Sequence, residues 1–245
     1  VGVWPLLICW LLTGAAYIAK AIFTAGSTPL ILDSDDAMRL NEVHDFLAGQ
    51  NWFDLVQHRL NTPYGAQLHW SRLVDLPEAI VLAVLRPFAG AAADVAAAYV
   101  WPLALLLALL WLTAKLALRL GRREALWPAL LLPGLSVIVI GEFAPGRFDH
   151  HSVQILLALA LLYCTIAALE RPRFAIGAGL AAAAALAVGI EGLPIVAVAA
   201  MSFALMWVAS PRQAVAMRDF GLSFALATAL ALAQVVAPAH WLDLR

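Results

Sequence analysis

Charge is what this sequence has least of. Of its 245 residues, 13% are charged and 64% belong to the hydrophobic set, against about 25% charged and 45–50% apolar in ordinary soluble domains. That deficit excludes a soluble globular domain, and long uncharged runs place the chain among polytopic helical membrane proteins. Cysteine is scarce too: Cys9 and Cys164 both lie inside apolar runs. A disulfide framework is therefore excluded, and neither cysteine has metal-ligand spacing. No Lys or Arg precedes the first apolar run, at residues 3–23, which is also too long for a signal-peptide core. It reads as a retained anchor. The start at Val1, without Met, reads as a trimmed N-terminus.

What is present is length in apolar segments. A hydrocarbon core of about 30 Å takes roughly 20 helical residues. Runs at residues 3–23, 95–118, 126–140, 153–169, 174–189, 194–209 and 220–236 give about seven spans. Residues 76–88 are apolar but short, and Glu78 and Arg86 interrupt them, which predicts an interfacial or re-entrant helix. The alanine run at 181–185 offers close helix approach, which is packing rather than chemistry. The expected fold is all-α: a polytopic transmembrane helical bundle, a single domain over residues 1–245. Residues 25–90 would form a long outer first loop with short helices.

The few charges are sorted. With seven spans, one side collects Lys115, Arg119, Arg122, Arg123, Arg171, Arg173, Arg212 and Arg218, eight of the fifteen basic residues, in short segments. By the positive-inside rule that side is cytoplasmic. The other side receives thirteen of sixteen carboxylates and all six histidines. A multi-pass protein of a bacterial inner membrane is expected, with its chemistry on the periplasmic or exterior face.

Two clusters mark that face. The first is Asp33-Ser34-Asp35-Asp36-Ala37-Met38-Arg39. Three carboxylates within four residues repel one another unless a cation or Arg sits among them. Asp33 and Asp35 point the same way in an extended segment, while Ser34, Asp35 or Asp36 equally fits as the cap of a following helix. Ala37, Leu40, Val43 and Leu47 give that helix an apolar stripe. The second is Gly146-Arg147-Phe148-Asp149-His150-His151-Ser152, at the outer mouth of the fourth span. Asp149 and His151 would project together in an extended approach to the helix, with His150 turned away. A carboxylate with an imidazole suits Mn²⁺ or Zn²⁺ better than Ca²⁺, and an Asp–His hydrogen bond capping the helix accounts for the same spacing. Between the clusters, Pro63 and Gly65 mark a turn, and Tyr64 and Trp70 fit an interfacial aromatic belt. His69 and Arg72 there either rest on the membrane or meet a phosphate. Glu191 sits at a tight outer turn, as a plain turn carboxylate or a cavity-lining residue.

Ser34-Asp35-Asp36 at the close of the first span, then a helix, then Thr62-Pro63-Tyr64-Gly65 with His69-Trp70, then Asp149-x-His151, resembles the catalytic subunit of oligosaccharyltransferase. The archaeal and bacterial branches, within the GT-C class of membrane glycosyltransferases, are nearest. The resemblance implies a divalent metal, Mn²⁺ or Mg²⁺, held by Asp35, Asp149 and His151, with Asp35 and Asp149 catalytic. It implies a polyprenyl-linked sugar donor whose phosphate His69 and Arg72 would meet, a protein or glycan acceptor, and a cavity that Asp33, Asp36 and Glu191 line. It covers residues 1–155. The later spans and the acceptor-reading motif of the family are not present, so an N-terminal portion of a longer chain is expected.

Two other classes compete. A transporter with an acidic vestibule would place polar groups near the midplane, whereas these spans are almost free of charge between their ends. A non-catalytic membrane scaffold would keep the fold without the ion. No nucleic-acid partner is expected.

Overall fold

The computed structural model describes residues 2–25, 30–31 and 33–241. Among these residues the regular structure is helical apart from two two-residue strands, β1 (Val56–Gln57) and β2 (Ala66–Gln67), which pair antiparallel with Val56 opposite Gln67. Among the described residues, five helical stretches are long and apolar enough to cross a bilayer: Val3–Thr24, Arg72–Leu120, His151–Ala168, Ile190–Ala209 and Pro211–Val235. A bent pair, Arg123–Leu135 with Val137–Phe143, makes a sixth if it counts as one span. By length and composition these stretches are suited to a lipid bilayer.

The expectation of seven spans meets two departures. The third expected span breaks at Ser136, where Pro133 and Gly134 close a 3₁₀ turn and the chain bends by 67°. The fifth is α8 (Phe174–Val188), whose 15 residues reach only about 22 Å at 1.5 Å per residue.

The described residues form two compact units. The first comprises residues 1–50 and 74–156. Its α1 (Val3–Thr24) is pinned by two long-range hydrogen bonds: Trp10 Nε1 donates to the Leu103 carbonyl at 2.7 Å, and the Tyr17 hydroxyl to the Gly134 carbonyl at 3.2 Å. α2 (Ser34–Leu47) starts at Asp33, whose extended backbone and carboxylate, accepting the Asp35 N–H at 3.0 Å, form the cap. Asp35 and Asp36 follow in the first turn, where the helix dipole favours them. The cap is thus one residue ahead of the three positions the sequence offered.

α3 (Arg72–Ala89) runs into α4 (Ala93–Leu120) through a single 3₁₀ turn. α3 is built inside out. Leu76, Ile80, Val84 and Phe88, spaced by one helical turn, are exposed, while Val74, Asp75, Glu78, Ala79 and Leu82 are buried. An outward stripe that is apolar over an inward face that holds carboxylates suits a helix set against lipid. The unit's core joins Val43 of α2, Ala79 and Leu82 of α3, Ala97, Ala98 and Trp101 of α4, and Phe148. Burying Phe148 anchors the segment before α7 (His151–Ala168) by about 2–3 kcal/mol.

The second unit comprises residues 51–73 and 157–245. Its core is small-residue packing of α8 against α10 (Ala214–Val235), with Phe203 of α9 (Leu193–Ala209) stacked on Phe220 at 4.5 Å. Gly179 lets α8 approach this closely: a Cβ there would stand 2.7 Å from the Phe220 carbonyl oxygen. The polar segment is held by Trp52, whose Nε1 donates to the Gln234 carbonyl at 2.6 Å, and by Arg72, whose Nη2 donates to the Asp54 carbonyl at 2.7 Å.

Candidate metal centre

The acidic cluster before α2 and the Asp149–His151 cluster meet in the first unit. Gly146, at φ +97°, turns the chain sharply where its N–H donates to the Ala98 carbonyl at 2.7 Å. A side chain there would run into the Leu30 carbonyl, so only glycine fits. Arg147 follows and reaches back to three carboxylates: Asp36 at 2.8 Å, Glu142 at 3.1 Å and Asp33 at 3.4 Å. Asp36 then accepts the backbone N–H groups of Phe148 (2.7 Å) and Asp149 (2.8 Å) on one oxygen. One fully buried carboxylate at the head of α2 therefore docks the whole segment that precedes α7.

The segment presents Asp149, His150 and His151, whose ligand atoms all lie within 4.8 Å of one another. Asp149 is 4% exposed, and His151 is open to the outside. Asp149 Oδ2 stands 3.3 Å from His151 Nε2. His151 Nδ1 lies 3.4 Å from the Gln154 amide oxygen. With the ring proton on Nδ1, Nε2 and Asp149 Oδ2 would present two electron-pair donors to an ion across 3.3 Å; with a proton on Nε2 the same contact is an ion pair. Ligands at about 2.0–2.2 Å from one ion stand about 3.0–3.5 Å apart for right-angle to tetrahedral bonding. The Asp149–His151 pair fits a divalent cation in spacing and in chemistry.

Electrostatics follows burial. Burial raises the Asp149 carboxyl, but the hydrogen bonds and charge of His150, with His151 beside it, outweigh burial and hold it at about 2. Burial pushes Asp36 above the usual carboxylate range despite the Phe148 and Asp149 N–H groups and Arg147. The Asp35 N–H, with Arg147, holds Asp33 below it. Arg147 is itself raised, since burial is overcome by Asp36, Glu142 and Asp33.

The expected residues divide. Asp149 and His151 come together, and Asp36 and Asp33 join them through the loop and Arg147. His150, expected to turn away, instead places Nδ1 2.5 Å from Asp149 Oδ1, because the loop enters α7 in a turn rather than extended. Asp35 is exposed at the start of α2 beside the Ser34 hydroxyl, and it stands outside the three-residue group found among the described residues. His69, exposed with its ring tilted against Trp70, and Arg72, buried and bonded to Asp54, belong to the second unit. Glu191 does as well, exposed in the turn between α8 and α9.

A buried ionic layer escaped the sequence reading. Arg39 Nη1 binds Asp75 at 2.7 Å and stands 3.9 Å from Glu42, all fully buried. Glu78, 2% exposed, has both carboxylate oxygens buried with no hydrogen-bond partner among the described residues. A signal was available: Asp36, Arg39, Glu42 and Val43 recur at helical spacing, as do Asp75 and Glu78. Of the expected apolar stripe Val43 is buried and Ala37, Leu40 and Leu47 are half-buried, while Asp36, Arg39 and Glu42 lie as deep as Val43. No protein-family model matches the chain, and no curated protein matches it in sequence.

Proposed function

We propose that the chain is a metal-dependent membrane glycosyltransferase of the GT-C kind. It would transfer a sugar or oligosaccharide from a polyprenyl-linked (pyro)phosphate to a protein or glycan acceptor on the outer face of a bacterial inner membrane. The observation that carries this reading is the Asp149–His151 pair, 3.3 Å apart at the head of an apolar helix and docked against the acidic start of α2. Two of the motifs that suggested the family, Asp33–Asp36 and Asp149–His151, are neighbours in space. The inside-out face of α3 supports a lipid-borne substrate arriving from the bilayer side.

Asp149 and His151 would hold the divalent ion, Mn²⁺ or Mg²⁺, with Asp35 the exposed carboxylate left to orient the acceptor. The chemistry such an ion supplies is Lewis-acid neutralisation of charge on the pyrophosphate leaving group. Asp36 and Arg147 keep the ligand loop in place, and Gln154 keeps the His151 lone pair turned toward Asp149.

The test is consumption of a polyprenyl-pyrophosphate-linked sugar by the full-length protein, with and without a chelator. Asp149→Ala and His151→Ala are expected to lower turnover at least 100-fold, about 2.7 kcal/mol in barrier. Asp35→Ala is expected to lower it with metal affinity unchanged. Undiminished turnover in Asp149→Ala removes the reading.

A further inference from the structure

We propose that His150 is a positioning residue of this centre: its Nδ1–H holds Asp149 so that Oδ2 faces His151, and His150 is not itself a ligand. The inference rests on the reading of Asp149 and His151 as the metal pair.

Its geometry is a matter of counting lone pairs. A carboxylate oxygen accepts about two hydrogen bonds. Asp149 Oδ1 receives both of them from one residue, the His150 backbone N–H at 2.7 Å and the imidazole Nδ1 at 2.5 Å. Oδ1 is thereby filled, and the free lone pairs of Asp149 are those of Oδ2, the oxygen 3.3 Å from His151 Nε2. A carboxylate able to rotate would present either oxygen, or both; this one presents a single donor in one direction.

The ring that does the holding is itself held. His150 is 7% exposed. On one side its ring packs on that of His151, with centroids 4.5 Å apart and planes tilted by 37°. On another, Arg39 Nη2 stands 3.5 Å from Nδ1. A guanidinium has no acceptor, so with the Nδ1 proton committed to Asp149 this approach is a steric and electrostatic stop rather than a hydrogen bond. Arg39 is in turn fixed by Asp75 at 2.7 Å. A chain of contacts from α3 through α2 thus ends on the oxygen that the ion does not use. Such supporting contacts around a metal carry about 10–100-fold in affinity.

The experiment uses the full-length protein in detergent, stripped with a chelator and titrated with Mn²⁺, the free ion being read by electron paramagnetic resonance. An asparagine amide N–H sits where Nδ1–H does, and a glutamine amide sits where Nε2 does. His150→Asn is expected to bind Mn²⁺ within about threefold of wild type, and His150→Ala and His150→Gln to bind 10–100-fold more weakly. Far-UV circular dichroism should be the same for all. Pulsed resonance on the bound ion should count one imidazole nitrogen in wild type and in His150→Asn, and none in His151→Ala. Two imidazoles in wild type overturn the proposal, and so does His150→Ala binding as wild type or His150→Asn failing as badly as His150→Ala. A wild-type protein without Mn²⁺ affinity, or His151→Ala binding undiminished, sinks the metal reading itself, an outcome distinct from the first three.

Discussion

The carboxylate of Asp36 accepts the backbone N–H of Asp149 at 2.8 Å, joining residues 113 positions apart in the chain. The same oxygen takes the Phe148 N–H, and its partner oxygen takes Arg147. Among the described residues, Asp36 is the carboxylate of the acidic cluster that holds this loop by its backbone. Asp36→Ala is expected to strand two buried N–H groups and loosen Arg147, destabilising the first unit by about 3 kcal/mol. The check is the unfolding midpoint in detergent, with Asp35→Ala as the control that should change little.

Gly146 is a sharper lever on the same loop. Gly146→Ala places a methyl group on the Leu30 carbonyl and forces an L-residue to φ +97°. The loop must move, and the hydrogen bond to Ala98 goes with it. The expected outcome is at least a tenfold loss of Mn²⁺ affinity with helical content retained. Affinity equal to wild type would show that the loop geometry is immaterial to the site.

Acid should act on the ligand loop through Asp149. Its carboxyl is held at about 2 in the folded chain and near 3.9 when unfolded. A depressed carboxyl stabilises the fold fully above about pH 4, and that contribution, roughly 2–3 kcal/mol, is lost as pH falls toward 2. Asp36, raised by burial, acts with the opposite sign, since protonation relieves its burial cost. In chelator-treated protein, Asp149→Asn is therefore expected to be less stable than wild type at neutral pH and to lose less stability between pH 4 and 2. Parallel curves for the two proteins would contradict this.

In the second unit the contact between α8 and α10 has no room for a side chain at Gly179. Gly179→Ala is expected to push the helices apart and lower the unfolding midpoint, at a cost of about 1–3 kcal/mol. Gly141→Ala, where a methyl group meets nothing within 4 Å, should leave the midpoint within a degree or two.

Much of this was legible beforehand and some was not, for physical reasons. The class follows from composition, and α1, α4, α7, α9 and α10 fall close to the apolar runs, because a long uncharged stretch has one stable form in lipid. The nearness of Asp149 and His151 was readable because two residues at a helix entry, two positions apart, are neighbours by local geometry. Asp36 was harder to tell from Asp35, since adjacent residues of one helix turn differ only in the face they take, and the partner that decides is Phe148–Asp149, far along the chain. Arg39, Asp75 and Glu78 were passed over because a charged residue in a soluble helix faces water. With lipid outside, that habit inverts.

The exposed stripe of Leu76, Ile80, Val84 and Phe88 has a consequence for the charges behind it. With hydrocarbon on its outer side, α3 becomes an insulating wall, and Asp75 and Glu78 sit on its inner surface. Screening by water and salt, which weakens fields over about 8–10 Å in solution, has no access from that direction. The ion pair of Arg39 with Asp75 behind it is thereby kept from water and salt on that side.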